Sequence, residues 1–261
     1  RRGKRGAGCF AFVMVTSMVA GGIGGLAGSA AADAANIEID DNQANDGTNG
    51  YQSTTASTNG GSDIKIRADT DSAPDGGGEN LYILIDGDDS KDGGSNEVTA
   101  QKASTDSTDD EITGIDVSGL AEGTYDVYAY EGTSEPSTVG GYNTEATGLL
   151  EIDKTAPTIQ SAIKQGGANQ VRVSFSEPVT DTDSTGDSAT LANSDFDYAD
   201  NNNAGAGDFA ATSPSQVDAS TVDVFTDASL TSGDLGTDQL NGLDGGTNGI
   251  QDPAGNTIST S

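Results

Sequence analysis

The eight residues Asp86-Gly87-Asp88-Asp89-Ser90-Lys91-Asp92-Gly93 carry four carboxylates, a hydroxyl and two glycines. Oxygen donors at alternate positions, with a glycine for the sharp turn, suit a calcium ion. Counted from Asp88, the order D-x-S-x-D-G is that of the first half of an EF-hand loop. Asp86, Asp88, Ser90 and Asp92 are the expected metal ligands. The pattern is incomplete: Thr99 stands where the bidentate glutamate would fall, and Lys91 lies inside the ring. A less complete D-x-D-x-T-G runs through Asp181-Thr182-Asp183-Ser184-Thr185-Gly186-Asp187. In a chain with 42 Asp and Glu residues, a solvated acidic hairpin is the competing explanation of both loops.

Other chemistry is excluded by residue type. The chain has no histidine, and its single cysteine is Cys9. Ser-His-Asp and Cys-His nucleophiles and histidine-ligated zinc therefore drop out. Paired carboxylates can cleave a glycoside, but among so many acids some pair always falls at a suitable separation, and there is no tryptophan to stack on a sugar. Gly76-Gly77-Gly78 and Gly93-Gly94 lack the lysine and following helix of a phosphate loop. No catalytic residue and no organic cofactor are expected, and the reading is of a non-catalytic protein.

The elements that would hold the acidic loop have a period of two. Asn36-Ile37-Glu38-Ile39-Asp40 and Asp63-Ile64-Lys65-Ile66-Arg67-Ala68-Asp69 alternate apolar with polar, each placing its apolar residues on one face of a strand. Leu81-Tyr82-Ile83-Leu84-Ile85 is apolar throughout, as in a strand covered on both faces. Strands also read from Glu111 to Val117, from Tyr125 to Ala129 and from Leu149 to Ile152. Clusters of Gly, Asp, Asn and Ser between them have turn chemistry. Short strands at this spacing predict an all-β protein built as an antiparallel β-sandwich. Leu120-Ala121-Glu122-Gly123-Thr124-Tyr125 predicts a tyrosine corner, in which a Tyr near the start of the penultimate strand bonds back across the preceding connection.

Residues 1–32 read as a secretory signal peptide: four basic residues, no acid, an apolar stretch from Cys9 to about Leu26 and the run Gly28-Ser29-Ala30-Ala31-Ala32. Export, to the cell surface or beyond it, follows. Loss of that segment removes Cys9, so the exported part stands without disulfides. What is left suffices for two domains of about 100 residues each. The chain is expected to be a piece of a longer protein, with membrane attachment only through a segment outside it.

The formal net charge is −31. A surface of this kind repels itself in dilute buffer and is a pattern of halophiles; molar salt shortens the Debye length to about 3 Å and removes most of the penalty. Without a basic patch to displace counterions, nucleic acid is not a partner.

The stretch from Leu120 to Pro157, with its Gly-Thr-Tyr strand, its Leu-Leu-Glu-Ile strand and its Asp153-Lys154-Thr155-Ala156-Pro157, resembles the junction between tandem bacterial and archaeal immunoglobulin-like domains. Pro157 fixes its own φ, biases Ala156 towards an extended form and blocks a turn of helix, which would hold two sandwiches end to end with limited bending. The second half is similar to the Ig-like domain of S-layer and related surface proteins: Phe175-Ser176-Glu177-Pro178-Val179 comes early, and Asp252-Pro253-Ala254-Gly255-Asn256 comes just before a last strand. Asp252 and Asn256 have side chains that can bond nearby backbone, while Gly255 supplies a positive φ. The resemblance implies a haloarchaeal cell-surface protein with Ig-like domains at 33–153 and 154–261, the second short of its C-terminal end. It implies a stalk or lattice segment whose partners are neighbouring Ig-like domains or copies of itself in an envelope layer. An accessory or carbohydrate-binding domain pair of a secreted enzyme, or an adhesin, is the alternative. No N-x-Ser/Thr sequon is present to support the N-glycosylation expected of a surface-layer glycoprotein.

Overall fold

The computed structural model describes residues 34–40, 50–61, 63–70, 79–103, 105, 109–166, 169–182, 190–201, 208–245 and 248–259. The expected signal peptide, the glycines at 76–78, most of the second acidic loop and the residues 202–207 lie outside that set.

The chain is all-β. Among the described residues there is no α-helix, only two three-residue 3-10 turns, Val139–Gly141 and Asn193–Asp195. Among the described residues no helix is long and apolar enough to cross a membrane.

Among the described residues, eight strands precede the linker: β1 (Ala35–Asp40), β2 (Ala56–Thr58), β3 (Ile64–Asp69), β4 (Asn80–Asp86), β5 (Glu97–Ala103), β6 (Asp109–Ile115), β7 (Gly123–Gly132) and β8 (Thr144–Ile152). They form a three-stranded sheet, β1-β3-β6, and a five-stranded sheet, β2-β8-β7-β4-β5. The alternating strands bury their apolar faces as their period requires: Ile64, Ile66 and Ala68 of β3 are buried while Lys65, Arg67 and Asp69 are half-exposed. These residues pack with Ile37, Ile39 and Ile112 of their own sheet and with Leu81, Ile83, Ile85, Val127 and Leu150 of the other in one apolar cluster. Leu81, Ile83 and Ile85 are wholly excluded from water, and each such side chain contributes about 1.5–3 kcal/mol on burial.

The continuous apolar run of β4 is buried on both faces. The outer face carries Tyr82 and Leu84, covered in part by aromatic neighbours: the Tyr82 and Tyr130 rings lie 6.3 Å apart and those of Tyr130 and Tyr142 6.4 Å. One pairing departs from the antiparallel expectation. β2 runs parallel to β8, with Ala56 opposite Leu150 and Thr58 opposite Ile152, because the chain leaves the first sheet after β1 and joins the edge of the second. The Tyr125 hydroxyl donates to the Ala121 carbonyl at 3.0 Å, so the tyrosine corner forms.

Among the described residues, nine strands follow the linker: β9 (Ile159–Lys164), β10 (Gln170–Phe175), β11 (Thr180–Asp181), β12 (Phe196–Ala199), β13 (Ser215–Asp218), β14 (Thr221–Phe225), β15 (Gln239–Gly242), β16 (Asp244–Gly245) and β17 (Asn248–Gln251). They pair as β13-β14-β10-β9, β11-β17-β16 and β12-β15. Val171, Val173, Phe175, Phe196, Val222, Val224, Ile250 and Ile258 make a second apolar cluster, separate from the first. On the outer side of β10, Arg172 donates through Nε and one terminal nitrogen to the two oxygens of Asp223, at 2.8 and 2.9 Å. The ion pair lies on the face of the sheet opposite the buried Val171 and Val173.

Candidate functional site

Among the described residues, the places where acidic side chains gather include the loop after β4 and the linker between the two apolar clusters.

The loop begins where β4 ends. Asp86 is 1% exposed, and its Oδ2 accepts from the Ser90 backbone N–H at 2.9 Å. Its Oδ1, equally shut off from water, has no hydrogen-bond partner. Burial raises the Asp86 pKa, backbone N–H groups of Ser90, Asp88 and Gly87 oppose that rise, and the Asp88 charge adds to it. The other expected ligands do not converge on it as a linear loop would require. Asp88 and Asp89 are exposed; Asp89, with φ of 60°, accepts from the Tyr128 hydroxyl at 2.8 Å. Ser90 contributes its backbone to Asp86. Asp92 turns onto the Gly94 N–H at 2.8 Å. Lys91 leaves the ring and reaches Glu135, the Pro136 carbonyl and the Tyr142 hydroxyl.

Two acids that the local pattern does not include stand beside Asp86. Strand register sets Glu97 of β5 directly opposite Asp86 on one side and Asp126 of β7 directly opposite on the other. Directly paired residues share a face with their Cβ atoms about 5 Å apart, where like charges destabilise each other. Each flanking acid is drawn off to backbone donors. Glu97 takes the Asp92 and Gly93 N–H groups, both at 2.9 Å, and Asp126 takes the Gly148 N–H at 2.6 Å. Only the polar position of Asp126 in the alternating Tyr125-Asp126-Val127 hinted that it faces outward; its pairing with Asp86 is a matter of register.

The linker is tied down on both sides. Lys154 Nζ donates to the Ser118 carbonyl at 3.2 Å and the Leu120 carbonyl at 2.7 Å, and Thr155 Oγ1 to Glu122 at 2.5 Å. From the far half comes the turn Asp252–Asn256. Gly255 has φ of 87°, its N–H donates to the Asp252 carbonyl at 3.1 Å, and the Asn256 N–H caps Asp252 Oδ1 at 2.8 Å. Asn256 Nδ2 then donates to the Asp153 carbonyl at 2.9 Å, and the Asn59 N–H donates to the Ala254 carbonyl at 3.0 Å. The turn has the internal bonding its residue types predict, and its tip docks on the first half of the chain.

At the same place Asp153, Glu177 and Asp252 bring one carboxylate oxygen each within 4.8 Å of the others, the one such group of three among the described residues. Burial, then the Asp252 and Asp153 charges, raise the Glu177 pKa. Burial raises that of Asp252 too, against the bonds from Asn256. These residues lie 24 and 75 positions apart in pairs along the chain, which no spacing rule could link.

The chain matches no protein-family model and no curated protein.

Proposed function

We propose that this chain is a non-catalytic, architectural segment of an exported, salt-adapted cell-surface protein: two tandem Ig-like sandwiches in a stalk or lattice of an S-layer-like haloarchaeal envelope. The observation that carries this reading is the tied linker. Lys154 and Thr155 donate to Leu120 and Glu122 of the first half, and Asn256 of the second half donates to the Asp153 carbonyl; a spacer transmits position only if its joints resist bending. An Ig-like assignment for the first half is supported by the sheet pairing. A first strand divides between the two sheets as β1 and β2, and the tyrosine corner precedes the last strand, β8. In such a module affinity comes from sheet edges and loop tips, so neighbouring Ig-like domains or further copies of the chain are its partners.

The test is electron microscopy of the chain in molar KCl with millimolar calcium. Ordered arrays or end-to-end filaments are expected. A chain that stays monomeric across protein and calcium concentrations refutes the lattice role and favours an accessory domain pair.

A further inference from the structure

The two halves differ in how their sheets end. In the first half the edge strand β5 is tied to the neighbouring sheet by Lys102, which pairs with Asp110 of β6 at 2.7 Å. In the second half β9 and β13 end the four-stranded sheet, and an edge strand offers its unpaired N–H and C=O groups to another strand. The exposed large apolar side chains among the described residues all stand at these two edges. Ile163 of β9 is 57% exposed and Val217 of β13 46%, while Leu235, at 54%, lines a cleft with Ala162 and Lys164 of β9. Acid is missing from the same edges: residues 154–176 and residues 209–217 contain no Asp or Glu, in a chain with 42 of them. Lys65, Arg67, Lys91, Lys102 and Arg172 each pair with a carboxylate, and Lys154 is spent on carbonyls. Lys164 has neither an ion pair nor a side-chain hydrogen bond among the described residues.

We infer that β9 of one copy of this chain receives β13 of a second copy as an added strand, joining the two head to tail. Strand direction suits the pairing. Each of the three pairings in the sheet is antiparallel, so β9 and β13, at opposite ends, run in opposite directions. A second copy set beside the first in the same orientation therefore brings its β13 antiparallel to β9, and the alternation continues across the joint. Charge suits it as well. Lys164 stands opposite Val171, which stands opposite Val224, and at that end of the sheet the other edge carries the exposed Asp208 and Asp227, joined by the Asp227 N–H to the Asp208 carbonyl at 2.9 Å. A lysine on an edge strand ordinarily deters pairing; here the incoming edge brings two acids to the end where Lys164 stands. Such a contact uses different surfaces on the two partners and does not close on itself, so it propagates as a layer requires. The inference rests on the architectural reading and names the contact by which copies join.

Analytical ultracentrifugation of the whole chain in molar KCl, which screens its net charge, tests the contact. Particles that grow past the dimer with protein concentration are expected. Ile163→Asp and Val217→Asp change exposed side chains, one at each edge, and each should weaken association at least tenfold. Mixed together, the two variants should form a one-to-one dimer and nothing larger, because the first still offers β13 and the second still offers β9. That dimer also shows that both variants are folded. Hydrogen exchange of the assembled, unaltered chain should show new protection in β9 and β13. An unaltered chain that stops at a dimer would overturn the inference, since it reports like edges pairing. Growth that survives both substitutions, or a mixture that associates no better than either variant alone, would overturn it too and leave the architectural role standing. A chain that stays monomeric at every concentration removes both.

Discussion

Asn256 donates from one side-chain nitrogen to two oxygens: the Asp153 carbonyl, 103 residues earlier, at 2.9 Å, and Asp252 Oδ2 at 2.8 Å. A single amide thus joins the linker, the turn Asp252–Asn256 and the buried carboxylate between them. Asn256→Ala should cost about 1–3 kcal/mol, since it strips donors from a buried carboxylate and a linker carbonyl. Denaturant unfolding at fixed molar KCl measures the loss. Small-angle scattering should show a broader distribution of distances between the two halves. An unchanged midpoint and profile would mean that the linker is held by Lys154 and Thr155 without help from the turn.

Glu177 makes the linker pH-dependent. Its pKa is raised, chiefly by burial and then by Asp252 and Asp153, so the folded state holds this proton more tightly than the unfolded chain does. Neutral Glu177 carries no penalty below the unfolded pKa. The penalty develops as pH rises from that value, about 4.3, through the raised folded one, and is complete at neutral pH. Glu177→Gln should therefore stabilise the chain at pH 7 by less than about 1 kcal/mol, the scale of partly exposed charge pairs. The gain should disappear as pH falls through that window. Unfolding midpoints of both proteins across pH 4 to 7 give the comparison.

Tyr125→Phe removes the hydroxyl that bonds the Ala121 carbonyl and leaves the buried ring in place. The expected loss is about 1 kcal/mol, read as a shift of the denaturation midpoint with unchanged slope. A neutral result would make Tyr125 a packing residue and the corner incidental.

Much of the fold was legible because it is written in local period. The alternation of β3 and β10 and the apolar run of β4 each state which faces are covered, since successive strand residues point to opposite sides. The Asp252–Asn256 turn was legible for the same reason: its bonds close within five residues. The short strand β2 was not legible, nor was its parallel pairing with β8, because three residues carry no period and the partner lies more than 90 residues away. The edge strand β5 is not legible either; its residues are half-exposed or exposed, with no buried face to mark it.

The acidic loop divides along the same line. Composition and spacing alone determined that Asp86, Asp88, Ser90 and Asp92 sit together after an apolar strand, that no histidine or thiolate chemistry accompanies them, and that a charged stretch ending in Pro157 follows the apolar run at Leu149 to Ile152. Only the tertiary structure decided which oxygens could meet. The Gly94 N–H claims Asp92, Lys91 turns away, and antiparallel register brings Glu97 and Asp126 alongside Asp86. The same is true of Asp153, Glu177 and Asp252, gathered where a turn of the second half docks on the linker. Sequence spacing fixes the neighbours of a side chain within a turn or along a strand; its neighbours across strands depend on register, which the burial of whole faces selects cooperatively.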